Sequence, residues 1–470
     1  MDYTNYDFGL VGLGVMGQNF ILNVADNNFK AFGYDLDQEK VDELKEVGGD
    51  LEKVSASTDI KTFVQALASP RKIMLLVPAG KIVDQAIESL LPLLDKGDII
   101  IDGGNSFFTD TDRREAYLRE KGIHFFGCGV SGGAEGARKG PSIMPGGDRL
   151  AYAYVKPIFE AVSAKYKGVP CVAYLGPKSA GNYVKMVHNG IEYAMMQLTS
   201  EIYDLLKKSC DLSNEELHQV YDTWNRGRLQ SFLVEITAEI FAQKDELTSG
   251  DLVDMILDKA KQKGTGKWTS QNAMDLGIPV PTIDMAVSMR EISALKDERV
   301  LADELYSRPE VPYISKEELI AQAEQALYFS FIIAYAQGLH QLSYASRDYG
   351  YELDMATIAK IWRAGCIIRA GLLADIAEAY TADKSIPNLL LSPSFVPKVQ
   401  GTLPAVREVV AFASKNGIPV PGLSSALSYF DAYTSTKLPL NLIQAQRDHF
   451  GSHTYERIDR EGIFHTEWGT

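Results

Sequence analysis

The run Gly12-Leu13-Gly14-Val15-Met16-Gly17 constrains this chain more than any other feature, because of what flanks it. Phe8 to Leu13 is a short apolar strand candidate, and Gln18 to Ala25 carries a helical pattern. In that setting each glycine has a mechanical reason. Gly12 allows the tight turn, Gly14 lets backbone approach a pyrophosphate, and Gly17 lets helix pack closely on strand. The helix N-terminus then faces the phosphates of a dinucleotide.

A second strand, Phe29 to Tyr34, ends at Asp35, eighteen residues after Gly17, where a carboxylate should meet the adenosine ribose. Leu36 and Asp37 follow, and no Arg occupies the turn to receive a 2'-phosphate. Two carboxylates there would repel that phosphate, by up to about 4 kcal/mol per unit-charge pair at 4 Å and an effective dielectric near 20. NAD is therefore expected over NADP, with NADP as the alternative. Asp37 has a second explanation as the cap of a helix starting at Gln38.

Further buried strands are expected at Ile73 to Val77, Ile99 to Asp102, His124 to Val130 and Cys171 to Leu175, with helical patterns between most of them. That alternation implies an α/β fold with a parallel, doubly wound Rossmann-type sheet over residues 1–179. Ligands bind such sheets beyond the carboxyl ends of the strands. The segments Val77-Pro78-Ala79-Gly80, Gly103-Gly104-Asn105-Ser106 and Ser131-Gly132-Gly133 should then border cofactor and substrate. Turn chemistry explains the glycines equally well, but Asn105 and Ser131 add hydrogen-bonding side chains at that edge.

Composition narrows the rest. With 470 residues, 46% hydrophobic and 23% charged, the chain is long enough for more than one globular domain. The net charge of -15 argues against a nucleic-acid surface. Cys128, Cys171, Cys210 and Cys366 lie far apart with no CxxC or Cys/His ligand spacing, which favours reduced, buried thiols. No stretch holds eighteen unbroken apolar residues, and Met1 to Phe8 lacks the pattern of a secretion signal. A cytoplasmic location away from the membrane is expected.

After Ser179 strand signals fade, and an all-helical domain is expected over 180–440, followed by a tail at 441–470. This domain contains a repeat. Gly277-Ile278-Pro279-Val280-Pro281 recurs as Gly417-Ile418-Pro419-Val420-Pro421, and Trp224 and Tyr193-Ala194 recur as Trp362 and Tyr335-Ala336. Two related helical halves follow. Residues 386–404, with four prolines, read as a long connection.

In the first half, Val184, Val187 and Ile191 form an apolar helical stripe. The same period gathers Lys185, His188, Asn189, Glu192 and Tyr193 on a second face. Those residues alone fit a solvated face as well as a site. The repeat tips the balance, because Lys185, His188, Asn189 and Glu192 correspond to Leu327, Ser330, Phe331 and Ala334. The second copy keeps the helix without the polar groups, so packing does not require them. Likewise Arg290 corresponds to Phe430. Lys261 to Trp268, with Lys263, Gly264, Gly266 and Lys267, has the composition of a phosphate-holding loop but lacks the GxxxxGK[ST] pattern of an ATPase.

Taken together, these segments resemble the decarboxylating 6-phosphogluconate dehydrogenase family in its long form with a duplicated helical domain. The resemblance rests on the Gly12–Gly17 run, Ile100 to Ser106, Gly129 to Gly133, Lys185 to Tyr193, Gln262 to Trp268 and the closing Gln446-Arg447-Asp448 with His453-Thr454-Tyr455-Glu456. It implies oxidation of 6-phosphogluconate at C3, then loss of C1 as carbon dioxide, without a metal. Lys185 would be the base and Glu192 the acid. Asn105, Ser131, Gly132, Gly133, His188 and Asn189 would hold the sugar acid, and Tyr193, Lys263, Arg290 and Arg447 its phosphate. The resemblance also implies a homodimer whose Arg447 and His453 complete the neighbouring subunit's site. Familiar members carry Asn-Arg-Thr where this chain has Asp35-Leu36-Asp37, and Lys at Pro78, in agreement with the electrostatic argument for NAD.

Overall fold

The computed structural model describes residues 5–50 and 52–469. Seven strands form one sheet: β1 (Phe8–Val11), β2 (Ala31–Tyr34), β3 (Val54–Ser57), β4 (Lys72–Leu75), β5 (Ile99–Asp102), β6 (His124–Ser131) and β7 (Ser142–Gly147). Their spatial order is β3-β2-β1-β4-β5-β6-β7. The first six run parallel, and the strand order reverses between β1 and β4, which pair directly from Gly9↔Ile73 to Val11↔Leu75. Apolar side chains cover both faces in two separate clusters, one around Phe8, Phe20 and Phe159 and the other around Phe32, Phe63 and Ile100. This is the doubly wound sheet that the strand–helix alternation requires.

Two expectations about the sheet need correction. β7 pairs antiparallel with β6, from Phe126↔Gly147 to Ser131↔Ser142, so the sheet is parallel only as far as β6. Its sequence, with Pro145, Gly146 and Gly147, reads as a turn; such a strand is tolerated because it lies at the edge. Cys171 to Leu175 joins no ladder. It follows β7 through a single bridge, Ile143↔Val172, and a hydrogen bond from Leu175 N to Pro145 O, since Pro145 has no N–H to return. β3 was also unanticipated, because Val-Ser-Ala-Ser at an edge carries little apolar alternation.

From Ala180 onward the chain is helical, beginning with the 31-residue helix Ala180–Cys210. The 34-residue helix Lys316–Tyr349 packs beside it, so closely that a Cβ on Gly338 would come within 2.5 Å of the Ile191 side chain. By length and composition Lys316–Tyr349 would suit a membrane, yet 72% of its apolar window is buried inside the protein. It is a core helix, and one apolar cluster spans both halves and reaches Phe108 and Met144 of the sheet region.

The repeat is visible in backbone angles. Gly277 and Gly417 have φ of 67° and 66°, and Val280 and Val420 share φ of -130° with ψ of 49° and 55°. Each then opens a helix at proline, Pro281–Ala294 and Pro421–Tyr433. The two halves cap each other: Gln337 accepts from Thr282 N at 3.0 Å, and Glu201 accepts from Gly422 N and Leu423 N at 2.7 and 2.9 Å. The proline-rich segment 386–404 is not a plain connection. It contains a short 3-10 turn at Leu389–Leu391 and starts the helix Val396–Lys415, with Pro397 at its permissive first turn.

Candidate active site

The Ala180–Cys210 helix carries the polar face inward. Lys185 is 6% exposed, His188 fully buried and Asn189 buried, with Glu192 one turn further along and its side chain 20% exposed. Lys185 Nζ donates to Asn189 Oδ1 at 2.7 Å and lies 3.5 Å from His188 Nδ1. His188 Nδ1 is 3.0 Å from Asn189 Oδ1 and 3.9 Å from Glu192 Oε2. Its other nitrogen meets the Ser131 hydroxyl at 3.3 Å, which joins the end of β6 to the helix. The close seating follows from sequence, since a Cβ on Gly129 would fall 2.4 Å from Lys185 Cβ.

Burial shifts the titratable groups of this face. It pulls the Lys185 ammonium below its ordinary value, only partly opposed by Glu192, and it pushes the Glu192 carboxyl up against the pull of Lys185 and Arg290. Both groups are thus drawn toward their uncharged forms. His188 is held well below its usual range by burial and by Lys185, so its ring is neutral. Donation from Nδ1 to the Asn189 oxygen leaves Nε2 to accept from Ser131.

Arg290 lies over the Tyr193 ring, its guanidinium carbon 3.4 Å from the centroid, and donates to Lys261 O at 3.2 Å. Tyr193 in turn backs onto Gly266, where a Cβ would sit 2.3 Å from the ring. The expected phosphate-holding loop is thus a loop only as far as Gly264; Gly266 lies in the first turn of the helix Thr265–Asp275 and makes room there for the tyrosine. Gly132 and Gly133 turn the chain at the end of β6 with φ of 109° and 64°, and Gly132 presses on Gly365 O.

Beyond β1, β4 and β5 runs a crevice in two connected parts. A cleft of about 460 Å³ is bordered by Gly12, Gly14, Asp35, Leu36, Val77 and Pro78. A cleft of about 830 Å³ continues past Val15, Met16, Gly17, Ala79, Asn105 and Lys263. The glycines fit a dinucleotide physically. At Gly17 a Cβ would collide with Gly12 O at 1.9 Å, whereas at Gly14 it would meet nothing within 4 Å, leaving backbone open to a phosphate. Asp35 accepts from Leu13 N at 2.7 Å and from Asp37 N at 3.0 Å, so the carboxylate also braces the glycine turn. Leu13 itself points into the core. Asp37 caps the helix Gln38–Gly48 by accepting from Glu39 N, the alternative that the sequence offered.

Residues 7–176 match the family description "NAD binding domain of 6-phosphogluconate dehydrogenase", and residues 181–468 match "6-phosphogluconate dehydrogenase, C-terminal domain". The chain belongs to the 6-phosphogluconate dehydrogenase family. It is 54% identical over 468 residues to the NADP(+)-dependent, decarboxylating 6-phosphogluconate dehydrogenase of Bacillus subtilis (strain 168), covering 99% of both chains. It is 52% identical, with the same coverage, to the decarboxylating enzyme of Escherichia coli (strain K12). The solved Plasmodium falciparum 6-phosphogluconate dehydrogenase, described with NADP+ and with 6-phosphogluconate, superposes with a TM-score of 0.95 at 45% identity over 98% of this chain and 100% of that one. An oxidoreductase of the decarboxylating 6-phosphogluconate dehydrogenase family, with a nicotinamide dinucleotide as cofactor, is the outcome of these matches.

Two of the anticipated residues stand apart. Arg447 and His453 lie on the tail, a helix Leu440–Gly451 followed by a hairpin of Tyr455–Glu456 and Ile463–Phe464. The tail ties to itself around buried Asp448, which accepts from Thr454 N, Thr466 N, Trp468 Nε1 and His465. None of these bonds reaches the residues around Lys185. Three contributors escaped the sequence reading. Thr265 accepts from Asn189 Nδ2 at 3.1 Å, Trp362 packs edge-to-face on His188 at 5.6 Å, and Lys40 stands 3.8 Å from Asp35. The repeated tryptophan was the available signal for Trp362; Lys40 carries none, because it reaches Asp35 from the first turn of the following helix.

Proposed function

We propose that this chain converts 6-phosphogluconate to ribulose 5-phosphate and carbon dioxide, with Lys185 as base and Glu192 as acid. The observation that carries this reading is the buried pair on one helix face, the Lys185 ammonium lowered and the Glu192 carboxyl raised by desolvation. The bound nicotinamide dinucleotide supplies the hydride acceptor. Lys185 takes the C3 hydroxyl proton as the hydride leaves, and the resulting ammonium polarises the new ketone. A 3-keto acid of this kind loses its carboxyl group because the ketone accepts the electrons. Glu192 then protonates the carbon that lost carbon dioxide. Lys185 has gained one proton and Glu192 has lost one, so transfer between them resets the pair with no net proton released. Asn189 and His188 hold Lys185 in place, and Ser131, Gly132, Gly133 and Asn105 border the sugar acid.

The phosphate falls to Tyr193, Lys263 and Arg290, completed by Arg447 and His453 of a second copy, Arg447 by its bidentate fork. A homodimer is part of this reading. It is supported by a tail that is closed on itself yet leaves Phe450 and Ile463 74% and 76% exposed. Asp35 at the crevice wall supports a preference for NAD over NADP. Lys40 offsets part of that charge, so the preference is smaller than two bare carboxylates would give. The four free, buried cysteines suit a reducing compartment, the cytoplasm.

One assay tests the reaction: purified protein with 6-phosphogluconate and NAD or NADP in parallel, following reduced cofactor and released carbon dioxide. Stoichiometric release is expected. Reduced cofactor without carbon dioxide would overturn the decarboxylating mechanism.

A further inference from the structure

Arg114, on the helix Phe108–Glu120, is 1% exposed, and it lines neither part of the crevice itself. A buried guanidinium is costly unless its donors are used, and a buried ion pair is by itself weak evidence for stability. Here the donors are spent on loops. Nη2 donates to Gly80 O at 2.9 Å, Nη1 to Ser106 Oγ at 3.3 Å and to Asp102 Oδ2 at 3.3 Å, and Nε to Asp84 Oδ1 at 2.8 Å. The other Asp102 oxygen accepts from Gly104 N at 3.1 Å. From the opposite side Asn182, one turn before Lys185, donates to Gly104 O at 3.3 Å and is met by Thr111 of the arginine's own helix.

We propose that Arg114 is a positioning residue that clamps the loops after β4 and β5 to each other. The clamp sets Asn105 and the loop Pro78-Ala79-Gly80 relative to Lys185. It acts through those loops, and it rests on the crevice being the dinucleotide site. Lysine cannot replace it, because one ammonium cannot span the four acceptors that the planar fork reaches.

Three variants test this, compared with wild type by melting temperature, kcat, KM for the dinucleotide, and the deuterium isotope effect with 6-phosphogluconate deuterated at C3. Arg114→Lys keeps the charge that Asp84 and Asp102 require. Its kcat/KM is expected to fall by about tenfold to a hundredfold, since a 1 Å misplacement costs about a hundredfold. The isotope effect rises as hydride transfer becomes limiting. Ser106→Ala removes the tie to Arg114 together with the Ser106 contact to Asp102, with the guanidinium left in place, and should lower kcat/KM about threefold or more. Gly14→Val fills open space in the crevice and should abolish dinucleotide binding. If Arg114→Lys loses only stability while kinetics and isotope effect stay as in wild type, the proposal is overturned; if it does not fold, Ser106→Ala decides by the same readouts. An unchanged dinucleotide KM in Gly14→Val would overturn the crevice assignment and the clamp with it. Failure of Arg114→Lys to change kinetics beside a dead Gly14→Val overturns the clamp alone.

Discussion

The Asn189 amide oxygen accepts from Lys185 Nζ at 2.7 Å, while its nitrogen donates to Thr265 at 3.1 Å, so the helix that follows Gly264 fixes which end of the amide faces the lysine. A neutral acceptor holds the amine without fixing its charge. In Asn189→Asp a carboxylate would take that place and favour the ammonium. The base is then protonated over a wider range, and the ascending limb of the kcat/KM profile should move up by about one to three pH units. Turnover at neutral pH falls accordingly and partly recovers in alkali. A profile whose ascending limb stays in place would separate Lys185 from that limb.

With Glu192 as the proposed acid, the other side of the profile follows from its burial. Burial raises its carboxyl, so the acid form required for carbon protonation persists above the ordinary carboxylate range and is lost as pH rises further. Glu192→Gln keeps shape and removes the proton. Turnover is expected to drop by about a hundredfold to ten-thousandfold with substrate and dinucleotide binding retained. A variant with wild-type carbon dioxide release would exclude Glu192 as the acid.

How much of this was legible beforehand follows from the range of the interactions involved. The glycine turn, strands β1, β2 and β4 to β6 and the Lys185 face are set by local periodicity and spacing, which a sequence displays directly. β7 was not, because Pro145 and its two glycines make sense only at a sheet edge that distant residues create. Thr265, Trp362 and Glu201 act across 76, 174 and 221 positions, from Asn189, His188 and Gly422 respectively. No local pattern encodes partners that far apart. The repeat came closest, since it marked Trp362 and predicted that the second copy of the Lys185 helix would be apolar there. Leu327, Phe331 and Ala334 are indeed buried, and Ser330 is buried without a hydrogen-bond partner among the described residues.

Asp35 supplies a test of cofactor choice. In Asp35→Asn the negative charge goes while one amide oxygen remains to accept from Leu13 N or Asp37 N. The ratio of kcat/KM for NADP to that for NAD should rise at least about tenfold, well inside the roughly 4 kcal/mol available from one charge pair at close range. Parallel steady-state assays with both nucleotides measure it. A ratio that does not move would assign discrimination elsewhere, Lys40 first.

Glu201 joins the two halves, so its loss should be felt as stability. Burial pushes its carboxyl up to about 7, against the pull of Leu423 N, Gln197 and Gly422 N. Glu201→Ala strands two buried N–H groups at the start of Pro421–Tyr433, a loss of about 2–4 kcal/mol in denaturant unfolding. The pH dependence has a definite sign. The folded value exceeds the ordinary 4.5, so the folded state binds the proton more tightly. The contribution is full below about 4.5 and is lost as pH rises through about 7. Glu201→Gln should flatten the melting-temperature slope across that window.

The tail makes the strongest demand on assembly. Its own bonds close around Asp448, whose carboxyl is raised by burial but held well below the usual range by His465, Trp468, Thr466 and Thr454. The tail can therefore keep its shape away from the body that carries it. If Arg447 serves the neighbouring subunit, Arg447→Met should raise KM for 6-phosphogluconate by about tenfold to a hundredfold, the value of a charge-assisted hydrogen bond to phosphate. Lys185→Met should abolish turnover outright. Co-refolding these two variants then separates cis from trans. In a mixed dimer, the body with intact Lys185 receives its Arg447 from the other chain, giving one complete site. If Arg447 acted within its own chain, no dimer in the mixture would hold a complete site and activity would stay at the level of the separate variants.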